Sequence, residues 1–142
     1  MALEVYSLEN SIQKFFDTST TSTRAECDLK AASLVGEPVK AVPMQGAWSY
    51  TVTAGSKEAD IVQFRAQPSA LDMANMNIAM LVHPQFVPRC TYHGEIVGQS
   101  PLSIYVMEKR NGLCYVIARD MSLEGMEAFE IRQLQTVRDL AR

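Results

Sequence analysis

Cysteine and histidine are sparse in this 142-residue chain, and their spacing excludes several kinds of site. The three cysteines, Cys27, Cys90 and Cys114, include no Cys-x-x-Cys pair. An odd number of cysteines without paired spacing is typical of a reduced, intracellular protein, so we expect a cytoplasmic location. The two histidines, His83 and His93, lie near Cys90 in the sequence but without a zinc-binding spacing, and we expect no metal site.

Long apolar runs and clusters of basic residues are also absent from the sequence. No apolar run approaches the length of a bilayer span, and the N-terminus lacks a basic-then-apolar signal pattern. Thirteen basic and sixteen acidic residues give a net charge of −3 without a basic block. We therefore expect neither a membrane nor a nucleic acid as a partner. The 47% of apolar residues predicts a single globular domain with a substantial core.

A β-hairpin over residues 45–65 is the centre of the predicted fold. Apolar and polar residues alternate along its first strand, a polar turn follows at residues 55–58, and the return strand ends at Arg65. One strand before this hairpin and a second hairpin over residues 90–107 extend it to five antiparallel strands. With helices before, between and after the strands, the sequence predicts an α+β domain.

Helices are predicted on both sides of the sheet in sequence order. Two lie within residues 1–36, the sheet occupies residues 37–117, and one long helix fills residues 118–142, all in one domain. Between the two hairpins, Gln67–Val82 is predicted to be a helix that crosses the sheet. Helix start signals stand at Ser7, Thr23 and Glu26.

The crossing helix has almost no polar side, because Asp72 is the only formal charge between Ala66 and Pro88. One sheet covers only one face of a helix, so the other face has to be covered by a second copy, a partner or a small molecule. We expect a homodimer, since leaving several such side chains in water forgoes several kcal/mol. The expected interface includes Met73, Met76 or Met80.

Six segments occur in an order that resembles a known family. They are QGAWSYTV, IVQFR, SALDMA, FVPRCTYHG, SPLSIYVMEK followed by Asn-Gly, and LQTVRDLAR. Together they resemble the N-terminal lobe of fungal kinase-like phosphotransferases, of the aminoglycoside/choline-kinase type. The resemblance covers the chain from about Cys27 onward.

The resemblance implies a nucleotide site, with ATP as the ligand. A glycine-containing turn would cover the phosphates, a cation on the third strand would pair with them, and the linker after the fifth strand would hold the adenine. The cation is Arg65, or Gln63 if the register slips by two residues. The other implied residues are Gly46, Ala47, Trp48 and Ser49 in the turn, and Met107, Glu108 and Lys109 in the linker.

The sequence departs from this family where the chemistry takes place. It contains no His-x-Asp or Asp-Phe-Gly motif, and the crossing helix carries no Glu to pair with the strand cation. The catalytic lobe of the family should begin where the sequence reaches Arg142. We therefore expect a stand-alone lobe that binds a nucleotide or small molecule without transferring phosphate by itself, or else a fragment of a full-length phosphotransferase.

A second hypothesis assigns the lobe to a different chemistry. An apolar cleft could hold a small molecule beside a desolvated acid–base pair, as in a non-phosphotransfer enzyme of isomerase or cyclase type from fungal secondary metabolism. The candidates are His93 or Asp120 paired with Tyr50, Tyr92 or Tyr105.

Overall fold

A computed structural model of the chain describes residues 6–111, 134, 135, 137–139 and 141. The chain divides into two compact units, Met1–Lys109 and Arg110–Arg142. In the second unit, the described residues 134, 135 and 137–139 are helical. The end of the predicted sheet region, with Cys114, and most of the predicted final helix, with Asp120, lie outside the described residues.

The described residues of the first unit form three α-helices and five strands, which confirms the predicted α+β fold. The sheet has the order β1-β2-β3-β5-β4, and every neighbouring pair is antiparallel. A 3₁₀ turn at Gln67–Ser69 precedes the third helix. The elements are α1 Leu8–Ser19, α2 Arg24–Leu34, β1 Val39–Ala41, β2 Ser49–Ala54, β3 Asp60–Ala66, α3 Met73–Val82, β4 Cys90–Ile96 and β5 Leu102–Glu108.

The first two helices begin where their capping residues predict. Ser7 accepts a hydrogen bond from the backbone N–H of Asn10 at the start of α1. Thr23 and Glu26 form a complete capping box at α2, in which each side chain accepts from the other residue's backbone N–H. These bonds satisfy N–H groups that have no partner inside the helix, which fixes both start points.

The hydrophobic core lies between these helices and one face of the sheet. Helix α1 contributes Ile12 and Phe15, and α2 contributes Cys27 and Ala31. Alternate residues of a strand point to the same face, so the strands contribute every second residue. Those strand residues are Tyr50, Val52, Ala54, Val62, Phe64, Ala66, Leu102 and Ile104.

Tyr50 joins both helices to the sheet through its hydroxyl group. The hydroxyl donates to Asp28 Oδ1 over 2.8 Å and accepts from Arg24 Nε over 3.2 Å. Arg24 also pairs with Glu9 of α1 at 3.0 Å, so one polar chain connects α1, α2 and β2. Burial and the hydrogen bond to Asp28 raise the pKa of Tyr50, which therefore remains a protonated donor.

Helix α3 begins later than the sequence predicts. The predicted start at Gln67 is wrong, because Pro68 lies in the 3₁₀ turn and the first α-helical residue is Met73. Asp72 caps the helix by accepting from the backbone N–H groups of Ala74 and Asn75, at 3.0 and 3.1 Å. A carboxylate in this position ends the preceding turn and starts a new helix.

The two faces of α3 differ from the prediction in their exposure. No residue of α3 is fully buried within the described part of the chain. The three methionines are half-buried, whereas Ile78, Leu81 and Val82 are 58%, 78% and 61% exposed. The bare face of α3 is therefore the aliphatic one. Among the described residues, no helix has the length and apolar character needed to cross a membrane.

Strand β4 is an edge strand with an irregularity in its middle. Its register to β5 shifts between Tyr92 and Glu95, and Gly94 has a φ of +82°. Residues with a Cβ atom rarely adopt this backbone conformation, so glycine at this position permits the bulge.

We expect replacement of Tyr50 by Phe to lower the free energy of unfolding by about 1–3 kcal/mol, because Asp28 and Arg24 would lose their shared hydrogen-bond partner. Chemical denaturation measures this change. The matched control is Tyr92→Phe, in which the same hydroxyl is removed from an exposed side chain. Equal stability losses for the two variants would contradict the role assigned to Tyr50.

Candidate functional site

The sheet face opposite to α1 and α2 carries mainly polar side chains. Strand register and alternation arrange them in three rows across four strands. The rows are Ser49–Arg65–Ser103–Glu95, Thr51–Gln63–Tyr105–Tyr92 and Thr53–Ile61–Met107–Cys90. Of these twelve residues, only Ile61 and Met107 are Met, Leu or Ile.

Arg65 is held in a fixed orientation on this polar face. Its Nε donates to the carbonyl oxygen of Ser69 over 2.5 Å, and its Nη1 donates to Gln63 Oε1 over 2.9 Å. Gln63 is itself anchored, since its Nε2 donates to Thr51 Oγ1 over 3.2 Å. A guanidinium group has five N–H donors, and the described residues accept two of them.

Gln45 shapes the loop between β1 and β2 by acting as a substitute peptide group. Its Nε2 donates to the carbonyl oxygens of Val42 and Thr51, at 3.0 and 2.9 Å. Its Oε1 accepts from the backbone N–H of Thr51 over 2.9 Å. The side chain therefore makes hydrogen bonds to both the donor and the acceptor of Thr51, as a neighbouring strand would.

Trp48, at the end of this loop, has a fixed backbone and an exposed side chain. Its carbonyl oxygen accepts from the backbone N–H of Ala66 over 3.0 Å and from Ser69 Oγ over 3.1 Å. The residue is nevertheless 58% exposed. A large aromatic side chain in water, on a backbone held by two hydrogen bonds, is typical of a binding surface.

Two cavities share Trp48 in their walls. The first, of about 390 Å³, lies between α1 and the loop and includes Lys14, Gly46 and Ala47. The second, of about 290 Å³, includes Gln67 and residues 99–101. Thr18 and Ser19, at the end of α1, line both cavities, so the two are neighbours.

The residues implied by the kinase resemblance fall in three places. Gly46, Ala47 and Trp48 line the first cavity beside α1, whereas Ser49 and Arg65 are register partners on the polar face. The linker residues Met107, Glu108 and Lys109 lie at the other end of β5. From Ser103, the partner of Arg65, to Met107 is four residues, or about 13 Å along the strand. One ligand that touches both ends would have to lie along the sheet.

The acid–base candidates do not form one site within the described residues. Tyr50 belongs to the helix-covered face, and its hydroxyl bonds Asp28 and Arg24. The hydroxyl of Tyr105 accepts from the backbone N–H of Leu71, and the Tyr92 ring lies 5.5 Å from the Tyr105 ring. The His93 ring is 2.9 Å from Thr91 Oγ1 and bonds none of these tyrosines. Asp120 lies outside the described residues.

The two described cysteines, Cys27 and Cys90, are poorly suited to act as nucleophiles. Burial raises the pKa of Cys27 to about 12, and burial also raises the pKa of Cys90. A thiol with a raised pKa carries little thiolate at neutral pH, so both are poor nucleophiles. In the part of the chain that the structure describes, no three His, Cys, Asp or Glu side chains are grouped in a way that could hold a metal ion.

Gln45 and Ser69 are positioning residues that the sequence did not single out, although they begin the segments QGAWSYTV and SALDMA. Gln63 was named only as an alternative to Arg65. Each acts through hydrogen bonds to residues on other strands or turns. The signal available for Gln45 was its position next to Gly46, which is weak because such pairs are common in loops.

Comparison of the chain with protein-family models, with curated proteins and with solved structures gives no match in any of the three. The geometry of the polar face and of the loop around Trp48 is therefore the basis on which a function is proposed.

We expect Gln45→Ala to loosen the loop and to lower the fluorescence anisotropy of Trp48, because Thr51 and Val42 would lose their side-chain partners. Trp48 is the only tryptophan in the chain, so the signal reports on this loop alone. Gln13→Ala, an exposed glutamine on α1, is the control. Unchanged anisotropy in Gln45→Ala would show that the loop does not depend on this side chain.

Proposed function

We propose that the first unit binds a nucleotide or another phosphorylated small molecule at Arg65, and that the chain does not transfer phosphate by itself. The observation that carries this proposal is the orientation of Arg65. Its side chain is fixed by Ser69 and Gln63, while three of its five N–H donors have no acceptor among the described residues.

The charge of Arg65 suits a phosphate group. Ser49 and Ser103 are its register partners on either side, and both are buried, with hydroxyl oxygens that accept from Gln63 and Gln67. The guanidinium therefore carries the proposed contact to phosphate. Glu95 occupies the same row but accepts from Gln67 Nε2, and no ion pair joins it to Arg65 within the described residues. A planar guanidinium binds two phosphate oxygens at once, which gives both strength and orientation.

The order of elements supports a kinase-like lobe. A glycine-containing loop connects β1 to β2, β3 carries the cation, and a helix connects β3 to β4. In protein kinases the glycine-rich loop covers the phosphates and the cation of the third strand pairs with them. In this chain Arg65 is the corresponding cation, whereas Gly46 and Ala47 line the cavity beside α1. Transfer also requires acidic groups that hold Mg²⁺ and a catalytic base, and the sequence contains neither His-x-Asp nor Asp-Phe-Gly.

We expect Mg-ATP or Mg-ADP to bind weakly to the full chain, and we expect Arg65→Gln to weaken this binding at least about tenfold, because a charge-assisted hydrogen bond contributes more than about 1.4 kcal/mol. Calorimetry measures the affinity. The control is Lys30→Gln, which removes the same charge from an exposed position on α2.

Two results would contradict this proposal. One is the absence of heat and of thermal stabilisation at millimolar nucleotide, and the other is equal binding by Arg65→Gln and by the unaltered chain. Phosphate transfer to water or to an added alcohol by the purified chain would overturn the proposal that the chain does not transfer phosphate by itself.

We also propose that the chain forms a homodimer through α3. The support is the exposed aliphatic face of Ile78, Leu81 and Val82, where three large side chains lie in water. Full burial of one such side chain contributes roughly 1.5–3 kcal/mol. A two-fold dimer buries these three residues in each of its two copies. The methionines named from the sequence are half-buried, so the aliphatic face replaces them as the expected contact.

We expect Leu81→Glu to convert a dimer to a monomer, because a buried carboxylate at a self-complementary interface is unfavourable. Light scattering at tens of micromolar measures the mass. Leu29→Glu is a close control, since Leu29 is 71% exposed on α2 and Leu81 is 78% exposed on α3. A 15.8 kDa monomer for the unaltered chain would contradict the proposal.

A further inference from the structure

The two cavities that flank Trp48 lie at the end of the sheet, beside the row of Arg65. Their walls come from α1, the loop at residues 45–48, residues 66–68 and the loop at residues 99–101. Gln67 connects the second cavity to this row through hydrogen bonds to Glu95 and Ser103. Ala66 lines the second cavity and belongs to the core face, whereas Arg65 belongs to the opposite face. A ligand here would therefore be separate from a phosphate bound at Arg65.

Hydrogen bonds within the chain hold the loop around Trp48 in place. Gln45 holds the start of the loop and two hydrogen bonds to the carbonyl oxygen of Trp48 hold its end. A Cβ added at Gly46 would lie 3.0 Å from Ser49 Oγ, so the loop is also closely packed there. An exposed aromatic ring on a rigid backbone binds with little loss of conformational entropy.

The polar groups in the walls of the two cavities are mainly uncharged. Among the described residues, Lys14 is the one charged side chain in these walls, and it repels organic cations. Helix α1 ends at Ser19 with no basic residue in its last turn, and the partial negative charge of its terminal carbonyl groups opposes the attraction of Lys14 for anions. The other polar groups are uncharged hydroxyls and amides, at Ser11, Thr18, Ser19, Gln45, Gln67, Gln99 and Ser100.

We propose that these two cavities bind a neutral carbohydrate, with the apolar face of one sugar ring against the indole of Trp48. A ring of C–H groups fits the aromatic face, and the hydroxyl groups of the sugar can both donate to and accept from the uncharged side chains of the walls. The volume of the first cavity falls within the range of about 300–1,000 Å³ that small-molecule sites occupy. The neighbouring second cavity enlarges the space for a ligand. A disaccharide fits this arrangement better than a single ring.

The fluorescence of Trp48 reports directly on this site, because the chain has no other tryptophan. The experiment titrates the full chain with maltose, cellobiose and N,N′-diacetylchitobiose, each beside its monosaccharide. We expect a saturable change with at least one disaccharide at millimolar concentration, and weaker binding of the matching monosaccharide.

Variants separate stacking from a general effect on the fold. Calorimetry should show that Trp48→Ala lowers the affinity for the disaccharide at least about tenfold. Trp48→Phe should keep most of the affinity, because an aromatic ring remains. Tyr92→Ala, at an exposed aromatic on the other face, should bind the sugar like the unaltered chain. Trp48 is exposed, so its removal leaves the core intact, and the melting temperature checks this.

Arg65→Gln distinguishes this site from the proposed nucleotide site. Arg65→Gln should weaken nucleotide binding far more than sugar binding, and Trp48→Ala should do the reverse. The carbohydrate proposal is overturned if none of the three disaccharides changes the fluorescence, or if Trp48→Ala binds as tightly as the unaltered chain. It is also overturned if Trp48→Ala abolishes Mg-ATP binding, which would place Trp48 in the nucleotide site and leave the proposed function standing.

Discussion

Burial of one sheet face beneath α1 and α2 is the constraint on which the rest of the first unit depends. Because alternate residues of each strand are used for this core, the remaining residues are committed to the opposite face. The Tyr50 hydroxyl adds direction to this packing, since its partners Asp28 and Arg24 fix where α2 lies and Glu9 extends the connection to α1. Packing alone would allow the helices to slide, and the polar chain opposes this.

The same constraint separates two kinds of chemistry at one end of the sheet. Neighbouring residues point in opposite directions, so Arg65 faces the polar rows while Ala66 faces the core and one of the cavities beside Trp48. The nucleotide site proposed at Arg65 and the carbohydrate site proposed beside Trp48 can therefore lie close in sequence without sharing a ligand. The turn at Ser69 serves both, because its carbonyl oxygen accepts from Arg65 and its hydroxyl donates to the carbonyl oxygen of Trp48.

Strands, caps and the fold class could be predicted from the sequence, because each depends on local signals. Alternation in β2 and β3 and the capping box at Thr23 are read directly from neighbouring residues. The start of α3 was predicted wrongly, because Pro68 and Asp72 are both start signals and only the structure shows which one begins an α-helix. The role of Gln45 could not be predicted, since its bonds join a loop to a strand that periodicity does not relate.

The two edges of the sheet limit how copies of this chain can pair strand to strand. Strand β1 has three residues, and β4 is broken by the bulge around Gly94, so neither edge presents a long, regular row of free backbone groups. Short and irregular edges prevent the strand-to-strand addition that leads to aggregates and fibrils. Growth of a continuous sheet across several copies is therefore disfavoured at both described edges, β1 and β4.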